Sequence, residues 1–460
     1  MPTLGPMQRL NEIVSNFAKV TWGLPLVILL IGGGLYLLIL SRFTAFRYLY
    51  HAVELVRGKH KEIDAEGEIS HFQALSTALS STIGMGNIAG VAVAISIGGP
   101  GAIFWMWVSG IIGMSTKFFT GSLSIMYRGR DSNGDIQGGP MYFIKTGLSK
   151  KWHWLASFFA VSGLVGALPI FNVNQLTQAV RDIVLIPSGL HSGVMTDAIF
   201  GFILILLTAI VIFGGITRIS RTAERLVPFM VLLYFFAVLY ILITHFDRVP
   251  YYLLLIVTDA FAAESYVGDS FYGGVIGALI LLGIRRGAFS NEAGIGTAPM
   301  AHGASKTNEP IREGLVSMLG PLIDTLIVCT LTALAILVTD AWELKELDGV
   351  SLTAHAFSLA APEIGSYILL LCIAVFSISS LLSFSYYGTK CLSFLIGAKH
   401  KHWYRYFYLL SIMLGAVTGL DLMINLIDGF YALMAIPTMT ATLILAPKVL
   451  QEAKTYFDKL

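Results

Sequence analysis

Long apolar stretches alternate with short polar connections along the whole chain. Eleven of these stretches have about the length that a helix needs to cross the hydrocarbon core of a bilayer, which is about 20 residues. We predict membrane-spanning helices at residues 22–40, 71–97, 102–127, 154–180, 198–215, 227–244, 272–301, 315–338, 364–396, 404–420 and 422–446. The pattern therefore predicts an all-α polytopic membrane protein with 11 transmembrane helices.

The composition agrees with this fold class. The chain is 55% hydrophobic and 13% charged, whereas soluble domains are about 25% charged, and its mean hydropathy is +0.74. No basic tract resembles a nucleic-acid patch, so we expect no nucleic-acid partner. All three cysteines fall in apolar stretches, which favours buried thiols over a disulfide framework or a transition-metal site. The first apolar stretch is too long for a signal peptide and is expected to be retained.

The charged residues predict the orientation of the chain in the membrane. Most Lys and Arg residues lie in the connections that follow the odd-numbered spans, and the opposite connections are acidic or thinly charged. Because basic connections stay on the cytoplasmic side, we expect the N-terminus outside and the C-terminus in the cytoplasm. The expected location is the plasma membrane, here a bacterial inner membrane, crossed many times.

Glycine interrupts the second predicted span. Residues 80–101 read SSTIGMGNIAGVAVAISIGGPG, with Gly84 and Gly86 on either side of Met85 and followed by Asn87. Each Gly inside a helix costs about 1 kcal/mol relative to Ala. Irregular backbone at membrane depth is tolerated only where it lines a cavity or is buried in protein. The pattern predicts a broken helix that forms half of a small-solute site; close helix packing by small residues is the alternative.

The seventh predicted span contains a second interruption. Residues 283–300 read GIRRGAFSNEAGIGTAPM, in which several glycines and Pro299 weaken the helix. Charged side chains here would be expensive in lipid, so Arg285, Arg286 and Glu292 must face a cavity, water or one another. Glu292 is expected either to pair with one of these arginines and fix the shape of the break, or to sense a cation or proton.

The two interruptions lie five spans apart, so the helices that carry them run in opposite directions. Spans 2–6 and 7–11 thus form two inverted five-helix repeats with broken first helices, an arrangement that points to a transporter site where the breaks meet. We expect a peripheral N-terminal helix and its connection at 1–70, the first repeat at 71–247, an extracytoplasmic connection at 248–270, and the second repeat with a cytoplasmic tail at 271–460.

At these motifs the chain resembles the alanine or glycine:cation symporter family. The resemblance rests on three motifs: GGPGAIFWMW at 98–107, SNEAGIGTAP at 290–299 and STIGMGNIAG at 81–90. The resemblance covers nearly the whole chain. It implies the leucine-transporter-like fold of the amino acid-polyamine-organocation superfamily, and cation-driven uptake of alanine or glycine.

The resulting expectation is a secondary active transporter that is not an enzyme. Sodium is the expected coupling ion, without any other cofactor, and small neutral amino acids and the lipid bilayer are the expected partners of a monomer. Two alternatives stay open: a proton-coupled symporter of the same substrates, and a channel for amino acids or ions. A channel is disfavoured because the two breaks differ and no filter repeat is present.

The candidate site residues follow from the chemistry of the two expected solutes, a zwitterionic amino acid and the hard cation Na⁺. Backbone N–H groups of a broken helix suit a carboxylate, whereas carbonyl and side-chain oxygens suit an ammonium or Na⁺. The substrate-binding candidates are Thr82, Gly84, Gly86, Asn87, Gln175, Phe289, Ser290 and Asn291. The sodium candidates are Ile83, Gly84, Asn87, Ser379 and Ser380, of which the two serines are placed by position in the fold that the chain resembles. Glu292 and Asp324 are further candidates, because intramembrane acids are often functional.

The ordinary structural roles of these residues remain alternatives. Ser379 and Ser380 could bond carbonyls of their own helix. Asn172 and Asn174, close to Gln175, could form hydrogen bonds between helices. Asp428, in the last predicted span, is one more intramembrane acid.

Overall fold

The computed structural model describes residues 6–59, 65–190, 192–262, 274–344, 346–347, 349–417 and 421–460. Helices form most of it. The described part also contains one short antiparallel hairpin, in which β1 (Gly129–Arg130) pairs with β2 (Ile136–Gln137).

The N-terminal helices reach further toward the start of the chain than expected. An amphipathic helix, α1 (Pro6–Thr21), precedes the apolar stretch and is followed by α2 (Leu24–Val27), a π-helical turn (Ile28–Gly32) and α3 (Gly33–Leu40). Two short helices follow, α4 (Thr44–Arg47) and α5 (Leu49–Val56). The segment that we expected to be peripheral packs closely on the rest of the protein, with α1 against the helix at 421–433 and α3 against the helix at 101–126.

The first half of the remaining chain contains the first broken helix. Its elements are α6 (His71–Thr82), a π-helical turn (Gly86–Gly90), α7 (Val91–Gly98), α8 (Gly101–Met126), α9 (Pro140–Gly147), a 3₁₀ turn (Lys150–Trp152), α10 (Trp154–Gly166), α11 (Ile170–Val180), a π-helical turn (Arg181–Leu185), α12 (Val194–Ile212), α13 (Gly215–Thr244) and α14 (Val249–Asp259).

The second half contains the second broken helix. Its elements are α15 (Gly274–Asn291), α16 (Ala298–His302), α17 (Pro310–Ser317), α18 (Leu319–Pro321), a π-helical turn (Leu322–Cys329), α19 (Thr330–Val338), a 3₁₀ turn (Ala341–Glu343), α20 (Gly349–Ala360), α21 (Gly365–Ile396), a 3₁₀ turn (Ala398–His400), α22 (Lys401–Val417), α23 (Asp421–Leu433) and α24 (Ala435–Phe457).

Eight helical segments of the described chain are long and apolar enough to cross a membrane, or nine if the bent pair α6 and α7 is one span. The predicted seventh and tenth spans are not among them. The helix α15 is 18 residues long and carries Arg285 and Arg286 before it breaks, and α22 has 17 residues. Residues 272–273 and 418–420, which belong to these two predictions, lie outside the described part, so the number eleven stays a prediction.

Helix packing brings the two broken helices together. The helix α8 is buried along most of its length and packs against α15 and α17, whereas α6 packs against α13 and α21. The π-helical turn after the first break contacts α15, and α7 packs against both α8 and α15. The two interruptions therefore lie side by side inside the helix bundle.

At one end of the bundle, the segment before α6 is joined to the segment after α16. Ile69 and Ser305 form a parallel β-bridge, and the Arg128 guanidinium donates hydrogen bonds to four carbonyls of the two segments. Nearby, the buried Glu313 carboxylate contacts the Nδ1 atoms of His71 and His302, each at 2.5 Å. These contacts hold the two broken helices together on the side of the bundle away from the cavity described below.

Candidate functional site

The first break lies between Thr82 and Gly86. Here α6 ends, Ile83 adopts an extended conformation, and the halves of the helix meet at an angle of 54°. The Asn87 side chain closes the gap, because its Oδ1 accepts a hydrogen bond from the Gly84 backbone N–H at 2.9 Å. The predicted break is thus present at the predicted residues, and Asn87 satisfies a backbone donor that the helix has left free.

The second break lies between Asn291 and Ala298. Glu292 has a φ of 55°, and Gly294 and Gly296 also have positive φ values, so the chain turns sharply here. The Asn291 Oδ1 atom accepts a hydrogen bond from the Ala293 backbone N–H at 2.9 Å. A Cβ atom on Gly296 would lie 2.4 Å from the Thr438 hydroxyl, which explains why a glycine is needed at this close approach.

The two breaks face each other. A Cβ atom on Gly86 would lie 3.5 Å from the Cα atom of Ser290, and the Ser81 hydroxyl donates to Glu292 Oε2 at 3.4 Å. Asp324, from the helix that follows α18, contacts both breaks: its carboxylate accepts from Asn87 Nδ2 at 2.6 Å and from Ser290 Oγ at 2.9 Å. One buried carboxylate thus links the two broken helices.

A cavity of about 420 Å³ opens beside the facing breaks. Six of the candidate residues line it: Thr82, Gly84 and Gly86 from the first break, Phe289 and Glu292 from the second, and Gln175 from α11. From the breaks, the cavity continues past Val93 and Asn425 to the start of α20 at residues 349–351. It is polar at the breaks and wide enough to hold a small amino acid together with water.

The other candidates are buried next to the cavity rather than in its lining. Asn87, Ser290, Asn291 and Asp324 are at most 2% exposed, and none of the four belongs to the described lining residues. Asn291 packs toward Gly113 of α8. Its Nδ2 atom is buried without a hydrogen-bond partner in the described part of the chain. The structure therefore gives these four residues contacts that shape and join the breaks.

Aromatic rings close one side of the cavity around Phe289. Its ring centroid lies 6.2 Å from those of Trp22 and Phe171 and 5.9 Å from that of Tyr431. Edge-to-face packing of this kind positions rings firmly. Trp22 comes from the N-terminal segment and also donates a hydrogen bond from Nε1 to the Asp428 carbonyl at 3.2 Å, so that segment supports the site.

The α21 serines lie against the first broken helix. Ser379 Oγ donates to the Ser80 carbonyl at 3.2 Å and to the Phe376 carbonyl at 2.9 Å. Ser380 Oγ donates to the Phe376 carbonyl at 3.1 Å, and it would lie 2.8 Å from a Cβ atom on Gly84. The serines bond carbonyls of their own helix, as the alternative interpretation expected, and they also place two hydroxyl oxygens beside the break.

The charged residues pair differently from the expectation. Glu292 Oε2 accepts hydrogen bonds from Ser81 and Thr297, and the described ion pairs do not join it to Arg285 or Arg286. Both arginines instead interact electrostatically with Asp428 on α23. Residues 285 and 286 precede Glu292 by about two helical turns, and the left-handed conformation of Glu292 directs its side chain toward α6.

One buried charge was not anticipated from the sequence. Lys117, in the middle of α8, is 1% exposed, and its Nζ atom would lie 3.0 Å from a Cβ atom on Gly320. Its ammonium interacts electrostatically with Glu292 and Asp324. A lysine inside an apolar span must face the protein interior, and that rule could have identified it.

Comparison with known proteins gives one consistent family. The sodium:alanine symporter family matches residues 7–460. An uncharacterized transporter of Haemophilus influenzae is 40% identical over 458 residues, covering 98% of this chain and 97% of the relative. The sodium/alanine symporter AgcS of Methanococcus maripaludis is 40% identical over 451 residues and 97% of both chains. A probable sodium/glutamine symporter, GlnT of Bacillus subtilis, is 34% identical, covering 98% of this chain and 91% of the relative.

Solved structures show the same fold at low sequence identity. MhsT, crystallised with L-phenylalanine, has a TM-score of 0.55 at 13% identity and covers 83% of this chain and 89% of its own. A manganese transporter of Eremococcus coleocola has a TM-score of 0.50 at 12% identity, covering 84% and 80%. The family match and the relatives along the whole chain show that the chain belongs to the sodium:alanine symporter family, whose members are multi-pass membrane transporters of the amino acid symporter type.

Proposed function

We propose that the protein is a sodium-coupled symporter that takes up alanine, glycine or both by alternating access. The observation that carries this proposal is the cavity at two facing helix breaks, because it combines the backbone of a broken helix, a carboxylate and aromatic rings in one place. Such a site suits a small zwitterion better than a purely apolar or purely charged solute.

The substrate carboxylate is assigned to the first break, at Thr82, Gly84 and Gly86, where one half-helix ends and the next begins. The substrate ammonium is assigned to Glu292, which lines the cavity from the second break. Phe289 bounds the space for the methyl group, and Gln175 supplies an amide from α11. Asn87, Ser290 and Asn291 are then supports of the breaks rather than direct ligands.

The sodium ion is assigned to the junction of the first break and α21. Na⁺ is a hard cation that prefers oxygen ligands, and this junction offers the Ser379 and Ser380 hydroxyls beside the backbone of Ile83 and Gly84, where α6 ends. Asn87 contributes indirectly, since it holds the Gly84 backbone in place. The ion would then lie against the same break that binds the substrate carboxylate, which couples the two binding events.

Proton coupling is the second candidate, and the buried carboxylates support it. Glu292 and Asp324 are 3% and 0% exposed and lie near the ammonium of Lys117. Groups of this kind can exchange a proton during a transport cycle. For either candidate we propose the orientation that the distribution of basic connections predicts, with the C-terminus in the cytoplasm.

Uptake by proteoliposomes tests the proposal. The purified protein is reconstituted, and radiolabelled alanine uptake is measured with an inward sodium gradient, with a pH gradient in sodium-free buffer, and with neither. The proposal requires saturable uptake that follows the sodium gradient and competes with glycine. Uptake driven by the pH gradient alone would support the proton-coupled candidate, and currents at channel rates would exclude a carrier.

A further inference from the structure

A second groove lies on the outer surface of α13, far from the cavity in sequence. It has a volume of about 330 Å³ and is lined by three arginines and three other residues: Arg218, Arg221, Thr222, Arg225, Leu226 and Phe229. The spacing of these residues puts them on one side of the helix, because positions three, four and seven apart share a face. The groove thus combines a cluster of positive charge with an apolar end.

The turn that precedes α13 shapes the basic end of the groove. Arg218 Nη1 donates to the Ile210 carbonyl at the end of α12 at 2.8 Å. A Cβ atom on Gly214 would lie 2.5 Å from Arg218 Nε, so only a glycine leaves room for this side chain. Gly215 has a φ of 68° and completes the turn. Arg218 is therefore held in place before any ligand binds.

The three arginines lack an acidic partner in the described part of the chain. The described ion pairs include none of them, although Glu224 is only three residues from Arg221. Arg218, Arg221 and Arg225 are all exposed. Three guanidinium groups at one site repel each other, and an anion with several oxygens would remove this repulsion by accepting their hydrogen bonds.

The apolar end of the groove continues along the helix. Phe229 is 54% exposed, and Leu232 and Phe236, further along the same face of α13, are 53% and 61% exposed. A free inorganic anion would leave this surface unused. A ligand with a negative headgroup and an acyl chain matches both parts, and anionic phospholipids are components of the bilayer around a membrane-spanning chain.

We propose that this groove binds an anionic phospholipid, with the phosphate at Arg218, Arg221 and Arg225 and an acyl chain along Phe229, Leu232 and Phe236. The site is independent of the transport cavity and of the proposed substrate. Each basic residue near a membrane surface contributes about 1 kcal/mol to the attraction of anionic lipid. Loss of all three charges is therefore expected to weaken binding roughly 100-fold.

The test compares lipid binding to two variants with the same net charge. The groove variant is Arg218→Gln/Arg221→Gln/Arg225→Gln, and the control is Lys150→Gln/Lys399→Gln/Lys454→Gln, which removes three exposed charges elsewhere. The folded, detergent-solubilised full chain is titrated with phosphatidylglycerol and with phosphatidylcholine, and bound lipid is counted by native mass spectrometry. We expect the wild type and the control to retain phosphatidylglycerol, and the groove variant to lose it.

Two further arms separate a lipid from other anions. The single variant Phe229→Ser keeps all three arginines, so it reports on the acyl chain and should weaken phosphatidylglycerol binding several-fold. Inorganic phosphate at millimolar concentration should fail to displace the lipid. Any one of four results would overturn the proposal. These are equal lipid retention by the groove and control variants, binding of phosphatidylcholine as strong as that of phosphatidylglycerol, unchanged phosphatidylglycerol binding in Phe229→Ser, and displacement of the lipid by phosphate alone.

Discussion

Substitution of Gly84 by Ala tests whether the first break and α21 form the cation site. The new Cβ atom would lie 2.8 Å from Ser380 Oγ, which is too close, so the hydroxyl must rotate away. Backbone strain does not contribute, since Gly84 is not among the described glycines with positive φ. The substitution therefore moves one hydroxyl group and changes little else in the neighbourhood.

The size of the effect follows from the interactions that the hydroxyl makes. Rotation breaks the hydrogen bond from Ser380 Oγ to the Phe376 carbonyl, worth about 1 kcal/mol, and it removes an oxygen from a charged ligand, worth about 1.5–3 kcal/mol. A loss of about 2 kcal/mol in sodium binding corresponds to a roughly 30-fold higher sodium concentration for half-maximal uptake. The alanine concentration for half-maximal uptake at saturating sodium should change much less.

Gly90→Ala is the matched control. It makes the same chemical change on the same broken helix and also lines the cavity, but its Cβ atom would meet no heavy atom within 4 Å. The assay is alanine uptake by proteoliposomes over a range of sodium concentrations, with folded yield checked by size-exclusion chromatography. An unchanged sodium dependence in Gly84→Ala, or an equal shift in Gly90→Ala, would refute the assignment of the cation to this junction.

Three further substitutions address the remaining parts of the site. Glu292→Gln keeps the size of the side chain and its acceptor for Ser81 but removes the charge, so proteoliposome alanine uptake should fall at least ~10-fold while the folded yield stays normal. Asn291→Ala leaves the buried Ala293 N–H without its acceptor, which costs about 1–3 kcal/mol, so the thermal unfolding midpoint should fall while alanine still competes for uptake in the folded fraction. Glu313→Gln weakens the contacts to two histidines and should also lower the unfolding midpoint.

Each of these expectations has a clear contrary result. Normal uptake by Glu292→Gln would show that the Glu292 carboxylate does not bind the substrate. Complete loss of alanine competition in a stable Asn291→Ala protein would show that Asn291 contacts the substrate directly. An unfolding midpoint for Glu313→Gln equal to that of the wild type would show that its contacts to the histidines do not stabilise the bundle.

The sequence was most informative about where helices break. Gly84, Gly86 and Asn87 predicted the first break because glycine weakens a helix locally and a buried amide needs partners. Gly294 and Gly296 likewise marked the second break, where the structure has positive φ values. A helix break is determined mainly by the backbone preferences of the residues at the break itself, so a single sequence is sufficient to predict its position.

Side-chain direction at a break could not be read in the same way. Ser290, Asn291 and Glu292 are consecutive, yet only Glu292 lines the cavity, because its φ of 55° departs from the helical path. Helical periodicity no longer applies where the helix ends. The pairing of Glu292 with an arginine, one of the two alternatives for this residue, is replaced by contacts to Ser81 and Thr297.

The spatial grouping of charged side chains from distant helices was the other part that the sequence could not show, and this grouping supports the proposed substrate class. Lys117 lies near Glu292 and Asp324 in one cluster, and Arg285 and Arg286 lie near Asp428 in another. Glu292, Arg286 and Asp428 all line the cavity, so acidic and basic side chains both face the solute. A zwitterion can place its ammonium at Glu292 while its carboxylate lies at the backbone of the first break, as proposed above. A solute with a single net charge could satisfy only one of these two places, which is the physical reason to favour neutral amino acids.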